Sequence, residues 1–430
     1  MSGSEVPSIL GHVVRFAGDR PLAPRVATYG RIVEGDGTTI DRGLALWFPG
    51  PASYTGEDVL ELHVHGSPAV ARDTLLAVLA AGARLAQPGE FTRRAFEAGK
   101  LDLSAAEAVA DLIAAEHRSG ARAAAARLSG GLANAIDRAR AVLDAIVEDL
   151  GAALDFPDEV AAPTPGDLEA RVAAVDALLE QLSQTWETGR IVREGLAIAI
   201  VGPPNAGKSS LLNALLGAER ALVSAVAGTT RDTIEETLAL GNGIAARIVD
   251  TAGLRDAADD LEAAGIARTR AALAVATVVL IVVDGSRQLD ASARLLLAET
   301  RERERVVYFN KADLGNDGYA ARDDAEGDAL VGSVRDLATV EAVRAALCAR
   351  AGADRVDLAR PHLGTARQAD AVLEARRALS RVRETLAYGD PVDLAIGDLA
   401  AARAALGELT GRDASETLLD GIFARFCIGK

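Results

Sequence analysis

The stretch that most constrains this chain is GLAIAIVGPPNAGKSSLLNALLG (195–217), an apolar run, a glycine loop and an apolar helical repeat in immediate succession. A short apolar run of that kind reads as a strand buried on both faces, which places it in a parallel sheet flanked by helices. The loop GPPNAGKS (202–209) fits G-x-x-x-x-G-K-[ST]. Its glycines let backbone N–H groups wrap a phosphate, and the helix that follows adds positive potential at its N-terminus. Lys208 is spaced to reach β- and γ-phosphates, and Ser209 to offer Mg²⁺ a hydroxyl. Asn205, Ala206, Gly207 and Ser210 complete the expected phosphate loop. TVVLIVVDG and RVVYFN read as further buried strands of the same sheet.

The base is selected elsewhere. NKAD (310–313) follows RVVYF about a hundred residues after the loop. The carboxylate of Asp313 can accept from both the ring N–H and the exocyclic amine of guanine, whereas adenine would leave it unpaired. Lys311 can lay its stem along the base, and Asn310 can tie the loops together. DTAGL (250–254) ends the strand ARIVD, so Asp250 is placed to hold Mg²⁺ through water and Gly253 to donate to the γ-phosphate, with Thr251 and Ala252 between them. AGTTRD (227–232) lies between these motifs, and Thr229 or Thr230 is placed to complete the Mg²⁺ shell; resemblance to translational and Ras-like GTPases favours Thr230. Where Ras-like proteins carry a water-orienting glutamine this chain has Leu254, and an apolar side chain cannot orient water. Asp256, Asp259, Asp260 and Glu262 follow as acidic candidates.

Composition sets the bounds. The chain of 430 residues calls for two to four domains, and a formal charge of −16 argues against a general nucleic-acid-coating surface while allowing a local basic patch. Of 46 basic residues only four are lysine: Lys100, Lys208, Lys311 and Lys430. Those four are candidates for places where a compact ammonium serves and a guanidinium would not. Two cysteines, Cys348 and Cys427, exclude a disulfide scaffold. No signal peptide is read at MSGSEVPSIL, and the longest apolar run, AVATVVLIVV (274–283), is too short to span a bilayer, so a cytoplasmic protein is expected.

Four segments follow from the patterning. Residues 1–101 read as hairpin-rich α+β; 102–193 as helices, with Ser104 and Glu107 as a capping-box pair; 194–357 as an inserted α/β P-loop domain; and 358–430 as a return of amphipathic helices. Within the helical part, Leu143, Ile146, Val147, Leu150 and Leu154 share one face, as do Leu168, Val172, Val175, Leu178, Leu179 and Leu182.

These motifs, together with FPGPASYTGEDVLELHVHG, PGEFTRRAFEAGKLDLSAAEA, DFPDE and a terminal CIGK, closely resemble the MnmE (TrmE) family of tRNA-modification GTPases over nearly the whole chain. The resemblance implies a folate-binding-like N-terminal domain that dimerises, a helical bundle, and an inserted Ras-like G domain. It implies GTP hydrolysis with Mg²⁺ at Ser209 and Thr230. K⁺ takes the place of an arginine finger, held by Asn205 and by backbone carbonyls at Ser224, Val226 and Thr229. Ala225, Ala227 and Gly228 complete that loop, and Glu262 matches the family's water-orienting acid; GSVRD (332–336) departs from the Ser-Ala-Lys-like loop usual in GTPases, with Ser333 as its candidate guanine contact. Glu61 and Lys100 match positions that contact a tetrahydrofolate derivative. Cys427 and Lys430 are expected to reach toward the folate or tRNA chemistry. A flavoprotein of the MnmG (GidA) type is the implied partner, bringing FAD and NADH and forming a heterotetramer or larger complex with the homodimer. Together they modify C5 of the wobble uridine in certain tRNAs. Family members open with a strand D-T-I-x-A-x-A-T and a nearby arginine; here SEVPSILGHVVRFAG looks like the later helix, so that first strand is expected to be missing and Arg15 is not equated with the arginine.

Other readings compete. CIGK formally fits C-a-a-X, but lysine is a poor last residue for prenylation and no polybasic segment precedes it. A ribosome-assembly GTPase switch would share the nucleotide motifs, yet such proteins carry a basic RNA-binding appendage. His63 and His65 alternate on a strand without further metal-ligand spacing, which favours packing or hydrogen bonding over a metal. Cys348 reads as a small core residue, and Arg93 and Arg94 as solvated charge.

Overall fold

The computed structural model describes residues 1–17, 22–115, 117–220, 237–240, 244–249, 270–315, 329–352, 360–427 and 429. The chain divides into two compact units. The first comprises Met1–Ile113, Arg127–Ser183 and Ala366–Lys430; the second comprises Ala114–Ala126 and Gln184–Thr365.

In the first unit, β1 (Val14–Phe16), β2 (Thr28–Val33), β3 (Thr39–Phe48) and β4 (Val59–His63) form an antiparallel sheet in that order. Alternation decides what each face does. Val14, Ile32, Ala45 and Leu60 are buried, and they pack with the helices Val6–Val13 and Pro68–Ala80. Val6, Ile9 and Val13, spaced at helical intervals, supply the apolar stripe of the first of these. The other sheet face carries Arg15, Tyr29, Arg31, Arg42 and Leu44, none of them buried.

Four long helices of this unit share one spacing. Leu132, Ile136, Ala139, Leu143, Ile146 and Leu150 are buried on Gly131–Asp155 in steps of four and three. The same steps recur on Pro165–Ser183 at Leu168, Val172, Val175, Leu179 and Leu182, and on Ala395–Thr410 at Ala395, Leu399, Ala402, Leu406 and Leu409. Ala366–Tyr388 follows suit with Gln368, Val372, Ala375, Leu379 and Val382. Steps of this kind keep an apolar seam facing its neighbours along the whole helix, the condition for a bundle. Ala366–Tyr388 packs on Pro165–Ser183 and on Ala395–Thr410, and Gly131–Asp155 closes the ring against the same two.

The helical stretch beginning at 104 is divided. It runs as Leu103–Ala114, Arg118–Leu128 and Gly131–Asp155. The expected capping box is also redistributed. Asp102 Oδ1 accepts from the backbone N–H groups of Ser104 (2.8 Å) and Ala105 (3.0 Å), so Asp102 performs the capping. Glu107 instead receives a two-toothed contact from Arg367, at 2.9 and 2.7 Å, and a third bond from Gln368 at 2.7 Å.

The short helix Glu416–Phe423 docks on Glu90–Glu97. Phe423 and Phe426 join Leu103, Ala106 and Leu419 in one cluster, with Phe96 against them. Gly89 makes this close approach possible: its φ is 68°, and a Cβ there would lie 2.8 Å from the Phe423 carbonyl oxygen and 3.1 Å from the Phe426 Cβ.

In the second unit a six-stranded sheet has the order β10 (Leu330–Val331), β9 (Arg305–Asn310), β8 (Val278–Asp284), β5 (Leu196–Val201), β7 (Ala245–Val249), β6 (Thr237–Ala239). All its pairs are parallel except β6 with β7. Every residue of β5 is buried, as its unbroken apolar sequence requires. One face packs with the helices Lys208–Arg220 and Leu337–Arg350. The other packs with Ala291–Glu299. Cys348 is 9% exposed inside the first of these cores.

Among the described residues no helix is long and apolar enough to cross a membrane, and no three His, Cys, Asp or Glu gather as metal ligands.

Candidate nucleotide site and C-terminal tail

The phosphate loop sits between the end of β5 and the N-terminus of Lys208–Arg220, where a twisted parallel sheet opens a crevice. Two glycines are sterically required there. Gly202 has φ 154°, and a Cβ on it would lie 2.0 Å from the Val282 carbonyl oxygen. A Cβ on Gly207 would lie 2.2 Å from Nδ2 of Asn310. Asn205 takes φ 62°, a left-handed backbone that asparagine tolerates better than most residues, and the residue is exposed.

Lys208 folds back over the loop, with Nζ donating to the carbonyls of Gly202 and Pro203, both at 2.9 Å. Burial lowers its pKa from the ordinary lysine value. Among the described residues no carboxylate neutralises it. A half-buried cation held over a loop of backbone N–H groups is a site that fits an anion. Ala206 is buried, while Ser209 lies in the first turn of the helix and Ser210 is exposed.

NKAD joins this loop through one side chain. Asn310, 1% exposed at the end of β9, donates from Nδ2 to the Ala206 carbonyl (2.9 Å). Its Oδ1 accepts from the Val334 N–H at 3.3 Å and the Tyr308 hydroxyl at 3.2 Å. One amide therefore holds together the loops after β5, β9 and β10. Lys311, with φ 66°, sends Nζ to Asp284 at 2.7 Å. Burial pushes the Asp284 carboxyl up, but hydrogen bonds from Lys311 and Ser286 outweigh it and leave the pKa below its ordinary value. Asp313 meets the exposed Arg335 at 3.3 Å. Ser333 is 9% exposed and accepts from the Arg335 N–H.

Ser224, Ala225, Val226, Ala227, Gly228, Thr229, Thr230, Asp250, Thr251, Ala252, Gly253, Glu262 and Lys430 lie outside the described residues. In the first unit, Glu61 is exposed on β4 with His63 Nε2 at 3.2 Å from its Oε2. Lys100 is exposed just beyond Glu90–Glu97, its Cε 3.7 Å from where a Gly56 Cβ would stand. His65 is paired with Asp41 at 2.9 Å. Cys427 is exposed immediately after the buried Phe426.

Arg93 and Arg94 are not the solvated charges expected. Arg93 donates to Glu97 (2.8 Å), Asp420 (2.6 Å) and Glu416 (2.6 Å). Arg94 donates to Glu57 (2.6 Å) and Glu90 (2.7 Å). Their partners lie too far along the chain for any sequence pattern to reveal, except Glu97 and Glu90 at the helical spacing of four.

Two family models match. One, described as the GTP-binding protein TrmE N-terminus, covers residues 1–100; the other, described as the MnmE helical domain, covers residues 103–427. Among curated relatives, a protein of Symbiobacterium thermophilum named tRNA modification GTPase MnmE is 44% identical over 439 residues, spanning 100% of this chain and 95% of the relative. Relatives of the same name from Laribacter hongkongensis and Halorhodospira halophila are each 43% identical, over 100% and 97% of this chain and 95% and 92% of their own lengths.

Proposed function

Since the chain belongs to the MnmE family of tRNA modification GTPases, we propose that its GTP hydrolysis depends on potassium and serves a tRNA-modifying complex. In this reading residues 194–357 are the G domain, 1–101 a folate-binding-like dimerisation domain, and 102–193 with 358–430 the helical domain. The chain acts in the cytoplasm as a homodimer. With an FAD- and NADH-dependent partner of the MnmG type, it modifies C5 of the wobble uridine in certain tRNAs, using a one-carbon unit from a tetrahydrofolate.

The observation that carries the nucleotide part is the Asn310 bridge to Ala206, with the half-buried Lys208 ammonium beside it, which has no carboxylate partner among the described residues. GTP with Mg²⁺ supplies the phosphoanhydride that is cleaved. Lys208 and the loop N–H groups neutralise phosphate charge, Ser209 and Thr230 hold the metal, and Asp313 selects guanine. Asn205, Ser224, Val226 and Thr229 hold K⁺, which spreads positive charge over the phosphates. Glu262 orients the attacking water in place of the missing glutamine. Glu61 and Lys100 contact the folate, and Cys427 and Lys430 act in the modification chemistry.

The test is GTP turnover by the purified chain in KCl and NaCl buffers of equal ionic strength. Strong stimulation by potassium is expected. Equal rates would remove the potassium site from the proposal and leave a plain GTPase.

A further inference from the structure

The open face of the four-stranded sheet carries a row of like charges in direct register. Arg15 on β1 stands opposite Arg31 on β2, and Arg31 stands opposite Arg42 on β3. Cross-strand partners project from the same face with Cβ atoms about 5 Å apart, and like charges so placed repel. None of the three is buried. Arg15 donates to the carbonyls of Gly11, His12 and Val14, and none of the three has a carboxylate partner among the described residues. In a chain of net charge −16, three adjacent arginines without an acid between them form a local concentration of positive charge.

A second row lies two residues along, about 7 Å away. Tyr29 pairs with Leu44, and Leu44 with His63. Tyr29 is 60% exposed and Leu44 40% exposed. The next position on that face is Glu61, opposite Leu46.

We propose that this face binds an unpaired segment of the RNA substrate. The arginine row takes the phosphates, and the Tyr29 row takes the exposed base faces. The inference rests on the tRNA-modifying reading given above. An unpaired RNA strand presents phosphates and stackable bases side by side, which a duplex or an acidic protein surface does not. Arginine matches phosphate geometry, and the three charges that repel one another in the free sheet are relieved when anions lie over them. The register also brings the bound strand beside Glu61, the residue assigned to the folate. The one-carbon donor and the base that receives it then share one sheet face.

The experiment measures binding of the full chain to a labelled anticodon stem-loop RNA as a function of salt, with the same sequence closed into a duplex as comparison. Wild type is expected to prefer the looped RNA. Arg15→Gln, Arg31→Gln and Arg42→Gln combined should weaken binding at least about tenfold and flatten the salt slope by about 2, at roughly 0.7 for each phosphate no longer neutralised. Tyr29→Ala should weaken binding about tenfold with the slope unchanged. The thermal midpoint of the triple variant checks its fold, and should hold or rise because repulsion is removed. An unchanged affinity and slope in the triple variant overturns the proposal. So does a weakening that appears only together with a change in oligomeric state by sedimentation, since the face would then bind a second copy. If wild type binds neither RNA, the functional reading itself fails, a result distinct from wild-type binding that the variants leave intact.

Discussion

Arg93 and Glu416, 323 residues apart in the chain, meet at 2.6 Å, and the same guanidinium holds Asp420 at 2.6 Å. The pairing fastens the helix that precedes Cys427 to the helix that precedes Lys100. Two residues assigned to different parts of the chemistry are thereby carried on docked elements of one unit.

The charges are not the main source of that docking. Glu416 and Asp420 side chains are 79% and 65% exposed, so solvent screens the pair. Arg93→Ala should cost at most about 1 kcal/mol. Phe423→Ala, which empties a site only 2% exposed, should cost about 3–5 kcal/mol. Urea midpoints of the two variants check the order, and an equal cost would contradict this division.

Glu107 and Arg367 side chains are 10% and 19% exposed, a pair largely out of water. Glu107→Ala leaves the Arg367 charge without its partner, and a loss of about 3–5 kcal/mol is expected. Glu107→Gln retains an acceptor for Gln368 and Arg367 and should cost less. Equilibrium unfolding of both variants is the check, with equal losses counting against a charge-specific role.

Glu90 receives Arg84 and Arg94, and its pKa falls from 4.5 to about 2, chiefly through the Arg84 hydrogen bond. A carboxyl depressed on folding stabilises fully above its unfolded pKa and loses that contribution as pH falls through the folded one. The advantage of wild type over Glu90→Gln should therefore be constant near neutrality and shrink between about pH 4.5 and pH 2. Thermal midpoints across that window test it; a gap that stays constant to the acid end would exclude the linkage.

Asp313→Asn exchanges an acceptor pair for a mixed donor and acceptor. GTP affinity should fall by about 100-fold or more, while binding of xanthosine nucleotides should improve. Competition binding with the two nucleotides reads this directly. Unchanged discrimination would remove Asp313 from base selection.

Two parts of the candidate nucleotide site, the phosphate loop and NKAD, could be placed from sequence because they are short and local. A strand, a glycine loop and a helix start are contiguous in sequence, and NKAD is four residues at a strand end. The Asn310 tie to Ala206 follows from that arrangement. The helical seams were legible in part, since Leu168 to Leu182 repeat at regular steps. What escaped was non-local. Asp102 caps in place of Ser104 because the helix starts at Leu103, and Glu107 is held by Arg367, 260 residues further on. Arg93 looked solvated because its partners Glu416 and Asp420 lie near the far end of the chain. The arginine row on the sheet is invisible until strand register is known, because Arg15, Arg31 and Arg42 are far apart in sequence and come together only by pairing.

The bundle draws two of its four helices from before the stretch Gln184–Thr365 of the second unit and two from after it. A growing chain emerging from the ribosome therefore presents Gly131–Asp155 and Pro165–Ser183 with their apolar seams uncovered throughout the synthesis of the stretch from Gln184 to Thr365. The second unit, whose sheet draws on that stretch alone, can finish folding first. Biogenesis then runs inward to outward: the part encoded in the middle is complete while the part begun earlier still waits for its closing helices, and chaperone demand should concentrate in that interval.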